Sequence, residues 1–272
     1  MAAKKQPPII KVENLTKKFN GFIAVDNISF KINKGGLFAF LGPNGAGKTT
    51  TIRMLTTLLE PTEGKILVNG FDPLSQQNEV RKSFGIVFQD SSLDDELTAY
   101  ENMEFHGVLY KIPKKTRKKR IQNLLEIVDL WNRKDNLVKT YSGGMRRRLE
   151  IARSLLHHPK IFFLDEPTLG LDPQTRYKIW SHIQRLNKKY QTTIFFTTHY
   201  LEEAEKMAKS IAIIDHGKII AQGKIKALKK QTKAKTLEAV YLALTGKNIR
   251  EENATKKDQM RLRINRFKKR KR

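Results

Sequence analysis

Cysteine is absent from all 272 residues. That excludes disulfides, thiolate metal ligands and a cysteine nucleophile. Long apolar runs are missing too. The longest, such as residues 161–164 (IFFL), have the size of a strand, far short of the ~18 residues a membrane-spanning helix needs. The first ten residues, MAAKKQPPII, hold no secretory signal core. The expectation is a chain kept in a reducing cytoplasm, with any membrane crossing left to another polypeptide. Acidic residues are scarce beside basic ones, 27 against 53, for a net charge of +26. Hydrophobic residues still make up 39%, which fits a globular chain of one large or two modest domains with a sizeable core.

The positive charge is local. Residues 111–120 carry seven bases and residues 224–235 carry six, with no acid in either. Residues 247–272 carry twelve bases against Glu251, Glu252 and Asp258. These three stretches hold 22 of the +26, so the rest of the chain is close to neutral. Three readings stay open: contact with nucleic acid, contact with an anionic membrane surface, or solvated linker and tail. The end of the chain, RFKKRKR, is expected to fray or be disordered.

Periodicity predicts the elements. Apolar runs at residues 37–41, 161–164 and 193–197 read as buried strands, and shorter β-like segments fall at 65–68 and 85–89. Ile52, Leu55, Leu58 and Leu59 predict a helix halted by Glu60 and Pro61. Residues 94–157 look mostly helical, with apolar spacing through Leu124, Leu125 and Val128 and again through Leu149, Ala152, Leu155 and Leu156. Further helices are expected at 145–157, at 173–189 with Pro173 in the first turn, and at 201–208. A hairpin is expected across Asp215, His216 and Gly217. Buried strands alternating with amphipathic helices predict an α/β fold with a mainly parallel sheet and a helical subdomain inserted at about 90–160. No internal repeat occurs, so each motif below is present once.

Gly42, Pro43, Asn44, Gly45, Ala46, Gly47, Lys48 and Thr49 match G-x-x-x-x-G-K-[ST]. An apolar strand precedes them and a helix follows, which is the context a phosphate cradle requires. Gly45 and Gly47 let backbone N–H groups converge on an anion at a helix N-terminus. Lys48 would reach the β- and γ-phosphates, Thr49 would offer its hydroxyl to Mg²⁺, and the N–H of Thr50 would support the α-phosphate.

Ligands of open parallel sheets sit at the carboxyl ends of the strands. One predicted strand runs into Gly42, a second delivers Asp165 and Glu166, and a third leads to His199. If the three are neighbours, two carboxylates and an imidazole meet at the triphosphate. Asp165 would then hold Mg²⁺ through water, Glu166 would polarise the attacking water, and His199 would sense the γ-phosphate.

With these residues in place, the chain resembles the ATP-binding subunit of an ABC transporter. The ordered set is the phosphate loop, Gln89, residues 141–145 (YSGGM), 161–167 (IFFLDEP), 169–172 (LGLD) and His199. The resemblance covers about residues 9–246 and implies a P-loop NTPase core, an N-terminal antiparallel β part and one ATPase domain over 1–246. Residues 247–272 would form a basic, flexible tail. It also implies roles. Phe19, where the family usually has Tyr, would stack on adenine, although a surface or core phenylalanine is the ordinary alternative. Gln89 would reach Mg²⁺ and water and link the site to the helical subdomain. Asp172 would lie in a loop crossing between subunits, although Asp-Pro is also a routine helix start. Ser142, Gly143 and Gly144 would bind the γ-phosphate of ATP held by a second subunit, although they also read as a helix cap. Tyr141 and Met145, followed by Arg146, Arg147 and Arg148, are similar to the drug-efflux and lipid-type exporter branch, as is residues 237–246 (LEAVYLALTG).

The resemblance therefore implies a catalytic set of Lys48, Gln89, Glu166 and His199, with Mg²⁺ held by Thr49, Gln89 and Asp165. It further implies two chains, identical by expectation, paired head to tail around two ATP molecules. They would drive export through separate permease subunits at the cytoplasmic face of the membrane. The basic tail could contact anionic lipid. The runner-up is a soluble ATPase of the same type acting on nucleic acid. Its repair and chromosome members carry long coiled coils and its translation members two cassettes, and this chain has neither. In a small-molecule kinase, the third reading, the Ser-Gly-Gly element and His199 would have no task.

Overall fold

Apolar and polar residues alternate through Ile10 and Val12, slip by one residue before Leu15, and alternate again through Ile28, Phe30 and Ile32, as a sheet with one covered face demands. In the computed structural model, which describes residues 7–246, they form β1 (Ile10–Phe19) and β2 (Phe22–Ile32). Asn20 and Gly21, with φ of 42° and 84°, make the tight turn between them. β3 is Leu37–Leu41, α1 Lys48–Leu55 and β4 Glu63–Val68. β4 pairs with β1, giving the antiparallel sheet β2-β1-β4 that the family resemblance implied.

The second sheet has six strands. After α2 (Gln77–Ser83) come β5 (Phe84–Val87), then the helices α3 (Ala99–Leu109), α4 (Lys114–Ile127) and α5 (Gly143–Ser154). β6 (Ile161–Asp165), α6 (Pro173–Tyr190), β7 (Thr193–Thr198), α7 (Leu201–Met207), β8 (Ser210–Asp215) and β9 (Lys218–Lys224) follow, and α8 (Ile225–Gln231) and α9 (Leu237–Thr245) close the described chain. The strand order is β5-β6-β7-β3-β8-β9, all parallel except the β8–β9 hairpin. Its central strands are buried on both faces, which their unbroken apolar runs anticipate.

Two cores flank this sheet. Phe38, Phe40, Phe163 and Phe195 pack toward the antiparallel sheet, with Phe30 reaching across to Phe40 at 5.6 Å between ring centroids. Leu37, Ala39, Leu41, Phe162 and Leu164 face the helices. No described helix is long and apolar enough to cross a membrane.

Several boundaries differ from the sequence reading. α1 stops at Leu55, before Leu58 and Leu59. Thr56 turns its hydroxyl back onto the Ile52 carbonyl at 2.8 Å, Thr57 is left-handed at φ 62°, and Leu58 is left exposed. The strand expected to reach Gln89 ends at Val87, because Arg147 takes the carbonyls of Phe88 and Gln89. The helix expected from Met145 to His157 starts two residues earlier, capped by Ser142, and ends at Ser154 in tighter i−3 turns. The stretch 94–157 is broken into three helices with short 3₁₀ turns between α4 and α5. α2 and α8 carry too few apolar residues to have stood out. The tail expected over 247–272 lies outside the described residues.

Candidate functional site

The order of the second sheet settles whether the three strand ends meet. β6, β7 and β3 are adjacent, so the loops leaving them share one edge. The backbone N–H of Gly42 donates to the Thr198 carbonyl at 3.4 Å, tying the cradle to the end of β7. The loop itself climbs through exposed Asn44 and Gly45 and returns through buried Ala46 and Gly47 into α1. Gly47 has φ 105°, and a Cβ there would sit 2.6 Å from the Ala24 carbonyl. No other residue fits that position.

Lys48 folds back inside the loop. Its Nζ donates to the carbonyls of Gly42 (2.8 Å) and Pro43 (3.0 Å) and lies 3.1 Å from Glu166 Oε1. The other oxygen of Glu166 is 3.1 Å from His199 Nδ1. Burial pushes the Glu166 carboxyl up. The hydrogen bond with His199 and the charge of Lys48 outweigh that, and the group ends below its ordinary value. Glu166 also has φ 48°, an uncommon and costly conformation for a residue with a side chain. Its N–H donates to Thr197 Oγ1 at 2.9 Å and its carbonyl accepts from Leu169 N–H at 3.2 Å, so the strained backbone is pinned on both sides.

Asp165 ends β6 with 2% exposure. Thr49 Oγ1 donates to its Oδ2 at 2.9 Å and Thr197 Oγ1 to its Oδ1 at 2.6 Å. A hydroxyl and a carboxylate of this kind fit Mg²⁺, which takes few protein oxygens and completes its shell with water and phosphate. Among the described residues no group of three His, Cys, Asp or Glu could cage a metal unaided. Thr50 is half-buried in the first turn of α1.

The remaining expected residues are more dispersed. Gln89 lies two residues beyond β5, the neighbour of β6, and its backbone carbonyl accepts from Arg147 at 3.0 Å. Phe19 ends β1 at the hairpin tip, 43% exposed, with the Lys17 ammonium 5.1 Å from its ring centre. Asp172 caps α6 by accepting from Thr175 N–H at 3.0 Å, and the Thr175 hydroxyl and that N–H together hold its carboxyl below the usual value. Ser142 caps α5 by accepting from Met145 N–H at 3.3 Å. Gly143 and Gly144 are the first residues of that helix. A Cβ on Gly144 would lie 2.6 Å from Thr175 Cγ2, whereas one on Gly143 would touch only the tip of Leu171 at 4.0 Å. Packing therefore explains Gly144 but leaves Gly143 for some other requirement. Among the described residues, no hydrogen bond or ion pair joins residues 142–144 to residues 42–50.

Three groups escaped the sequence reading. Thr197 serves Asp165 and Glu166 together. Arg147, beyond its bonds to Phe88 and Gln89, pairs with Glu150 at 3.0 Å, and Glu150 accepts from Ser92 N–H, so α5 grips the loop after β5. Glu203 on α7 accepts from Thr168 Oγ1 at 2.7 Å and from Thr198 Oγ1 at 3.4 Å, linking the loops that follow β6 and β7. Burial pushes its carboxyl up. Only its pattern of neighbours in space marks such a residue, and the sequence offers no sign of it.

Comparison with known proteins places this geometry. Residues 25–169 match the family model described as ABC transporter. The daunorubicin/doxorubicin resistance ATP-binding protein DrrA of Streptomyces peucetius is 44% identical over 81% of this chain and 66% of its own length. The Nod factor export ATP-binding protein I of Ralstonia nicotianae is 42% identical over 80% of this chain and 67% of its own. The chain thus spans about two thirds of these relatives. Among solved structures, an ATP-binding subunit of an ABC transporter is 27% identical, with a TM-score of 0.79, covering 87% of this chain and 99% of that one. An ATP-binding cassette solved as a dimer with ADP and Pi is 29% identical, with a TM-score of 0.71, covering 79% and 98%.

Proposed function

This chain belongs to the ABC transporter family, and on that premise we propose that it is the ATP-hydrolysing motor subunit of an exporter. The observation that carries the reading is the meeting of Lys48, Thr49, Asp165, Glu166 and His199 at the ends of three adjacent strands.

In this reading the backbone of residues 42–50 cradles the phosphates of ATP, and Lys48 exchanges the Gly42 and Pro43 carbonyls for β- and γ-phosphate oxygens. Phe19 offers its exposed face to adenine. Thr49 and Asp165, with Gln89, hold Mg²⁺, which when bound neutralises charge on the phosphates. Glu166, kept ionised by Lys48 and His199, hydrogen-bonds the attacking water. That water's oxygen bonds to the γ-phosphorus as the bond to the bridging oxygen breaks, giving ADP and inorganic phosphate. A carboxylate with a lowered pKa is a weak base, so its task is to orient and polarise the water. The loose transition state needs little more. His199 holds Glu166 and meets the γ-phosphate.

Ser142, Gly143 and Gly144 serve a second subunit's ATP. Among the described residues no hydrogen bond or ion pair joins them to residues 42–50, which supports this, as does a glycine at 143 that packing does not demand. Two copies then pair head to tail, with Asp172 near the seam, and the phosphates join them. Residues 1–246 work as one ATPase unit at the cytoplasmic face of a membrane. Phe105, Val108 and Leu109, exposed on α3, offer the apolar surface on which separate permease subunits would dock. The exporter reading is supported by the names of the relatives, which concern drug resistance and Nod factor export. Contact of the basic tail with anionic lipid is part of the same proposal. Isolating the native complex from membranes tests it. A co-purifying permease chain, with hydrolysis that responds to its presence, is expected; a complex with nucleic acid and no membrane chain would overturn it.

A further inference from the structure

The seven bases at 111–120 divide into two sets once the helix is seen. Arg117 turns inward, pairing with Glu104 at 2.6 Å and donating to the Ile112 carbonyl, also at 2.6 Å. Arg120 donates to the Leu156 carbonyl at 3.1 Å. The other five, Lys111, Lys114, Lys115, Lys118 and Lys119, are exposed and make no ion pair among the described residues. On α4, Ile121, Leu124 and Leu125 face the core; Lys115 and Lys119 point away from it, while Lys114 and Lys118, seven residues before Ile121 and Leu125, lie on the flank toward Glu104 of α3, exposed where the first turn runs past the core.

This arrangement works against the helix that carries it. Lys114 and Lys115 occupy the first turn, where the dipole favours acids, and no acid is present there. Lys114 and Lys118, like Lys115 and Lys119, are like charges four residues apart, which repel. A face kept only for solubility has no reason to concentrate one sign where it is least favourable. α4 also follows directly on α3. Leu109, 78% exposed, and Lys111 stand at the turn between the helices, and the Arg117–Glu104 pair joins the last turns of α3 to the first of α4.

We propose that the lysine face of α4 docks on anionic lipid headgroups beside the permease. The inference rests on the reading of α3 as the permease-docking surface, because that places α4 against the membrane. Charge complementarity then favours phosphate headgroups: five exposed ammonium groups suit a fluid array of anions. The contact orients the subunit and gives it a preference for membranes rich in acidic lipid.

Because the chain has no cysteine, one label can be placed at will. Thr116→Cys on the exposed side of α4, carrying a polarity-sensitive fluorophore, is mixed as the full chain with vesicles of phosphatidylcholine alone or with about one third phosphatidylglycerol. The expected result is a blue shift with the anionic vesicles only, weakened by salt. Lys114→Gln, Lys115→Gln, Lys118→Gln and Lys119→Gln together should reduce vesicle affinity about tenfold or more and remove the shift. The equal change of charge at Lys226, Lys230, Lys233 and Lys235 should leave the shift in place. The α4 variant should melt close to the parent, since the repulsion it loses offsets the attraction of Lys114 and Lys118 for Glu104, and should hydrolyse ATP at the same rate without vesicles, which keeps this proposal separate from the motor assignment. Absence of a shift at residue 116, or an equal shift in the α4 variant, overturns the proposal; in that case the lysines serve an acidic protein surface.

Discussion

Lys48 Nζ stands 3.1 Å from Glu166 Oε1 in a buried ion pair, and the second oxygen of that carboxylate meets His199. The charge of Glu166 is thus shared between the group assigned to the phosphates and the group assigned to sense them. Glu166→Gln keeps the shape and removes the charge. ATP should still bind, while hydrolysis falls by about 10²-fold or more, read as phosphate release in a single turnover. An undiminished rate would take Glu166 out of the mechanism.

Lys48→Ala removes the cradle's ammonium and leaves Glu166 buried without its cation. Breaking a buried pair costs about 3–5 kcal/mol, so urea denaturation should show a marked loss of stability together with at least about tenfold weaker nucleotide binding. Adding Glu166→Gln to this variant should restore part of the stability and none of the affinity. Wild-type affinity in Lys48→Ala would argue against the cradle.

Thr197 donates to Asp165 and accepts from the Glu166 N–H. Thr197→Val fills the same space with neither bond. It should cost about 1–3 kcal/mol of stability and raise the Mg²⁺ concentration needed for half-maximal hydrolysis, while Mg²⁺-free nucleotide binding stays near the parent value. An unchanged Mg²⁺ requirement would show that Asp165 needs no such support.

His106 on α3 and His157 just beyond α5 are half-buried, each with one ring nitrogen enclosed, around Tyr110, whose ring stacks on His157 at 3.9 Å. Burial, aided by nearby Arg153, holds His106 at about 3, and burial holds His157 at about 4 despite its bond to the Phe84 carbonyl. Their folded values are below the unfolded value of about 6.5. Their neutral forms therefore stabilise the fold fully above that pH, and the contribution is lost as pH falls toward 4, by several kcal/mol in total. Melting temperatures measured from pH 7 to 5 should drop, and the drop should be shallower with His106→Gln and His157→Gln combined. Equal slopes would place acid sensitivity elsewhere.

The parallel core was legible because Leu37–Leu41, Ile161–Leu164 and Thr193–Thr197 are too apolar to lie anywhere but inside. The phosphate loop was legible because its chemistry is local in sequence. β1 and β2 were not seen from their residues: their alternation is interrupted by register shifts and by lysines on the open face. Thr197 read as one more β-branched strand residue, and Glu203 as one acid among several on α7. Their roles depend on which strand lies beside which, and no spacing rule encodes that. The seven bases at 111–120 were visible as a run, but only the helix separates Arg117 and Arg120 from the exposed lysines.

The proposed mechanism requires ATP to be held between two copies of this chain, each lending Ser142, Gly143 and Gly144 to the other. Sedimentation of the Glu166→Gln variant tests this most directly. With Mg-ATP it should run as a dimer at micromolar concentration and return to monomer when nucleotide is withdrawn, while the wild type loses activity per molecule on dilution. A variant that saturates with ATP and remains monomeric, beside a wild type whose rate per molecule ignores dilution, would contradict it.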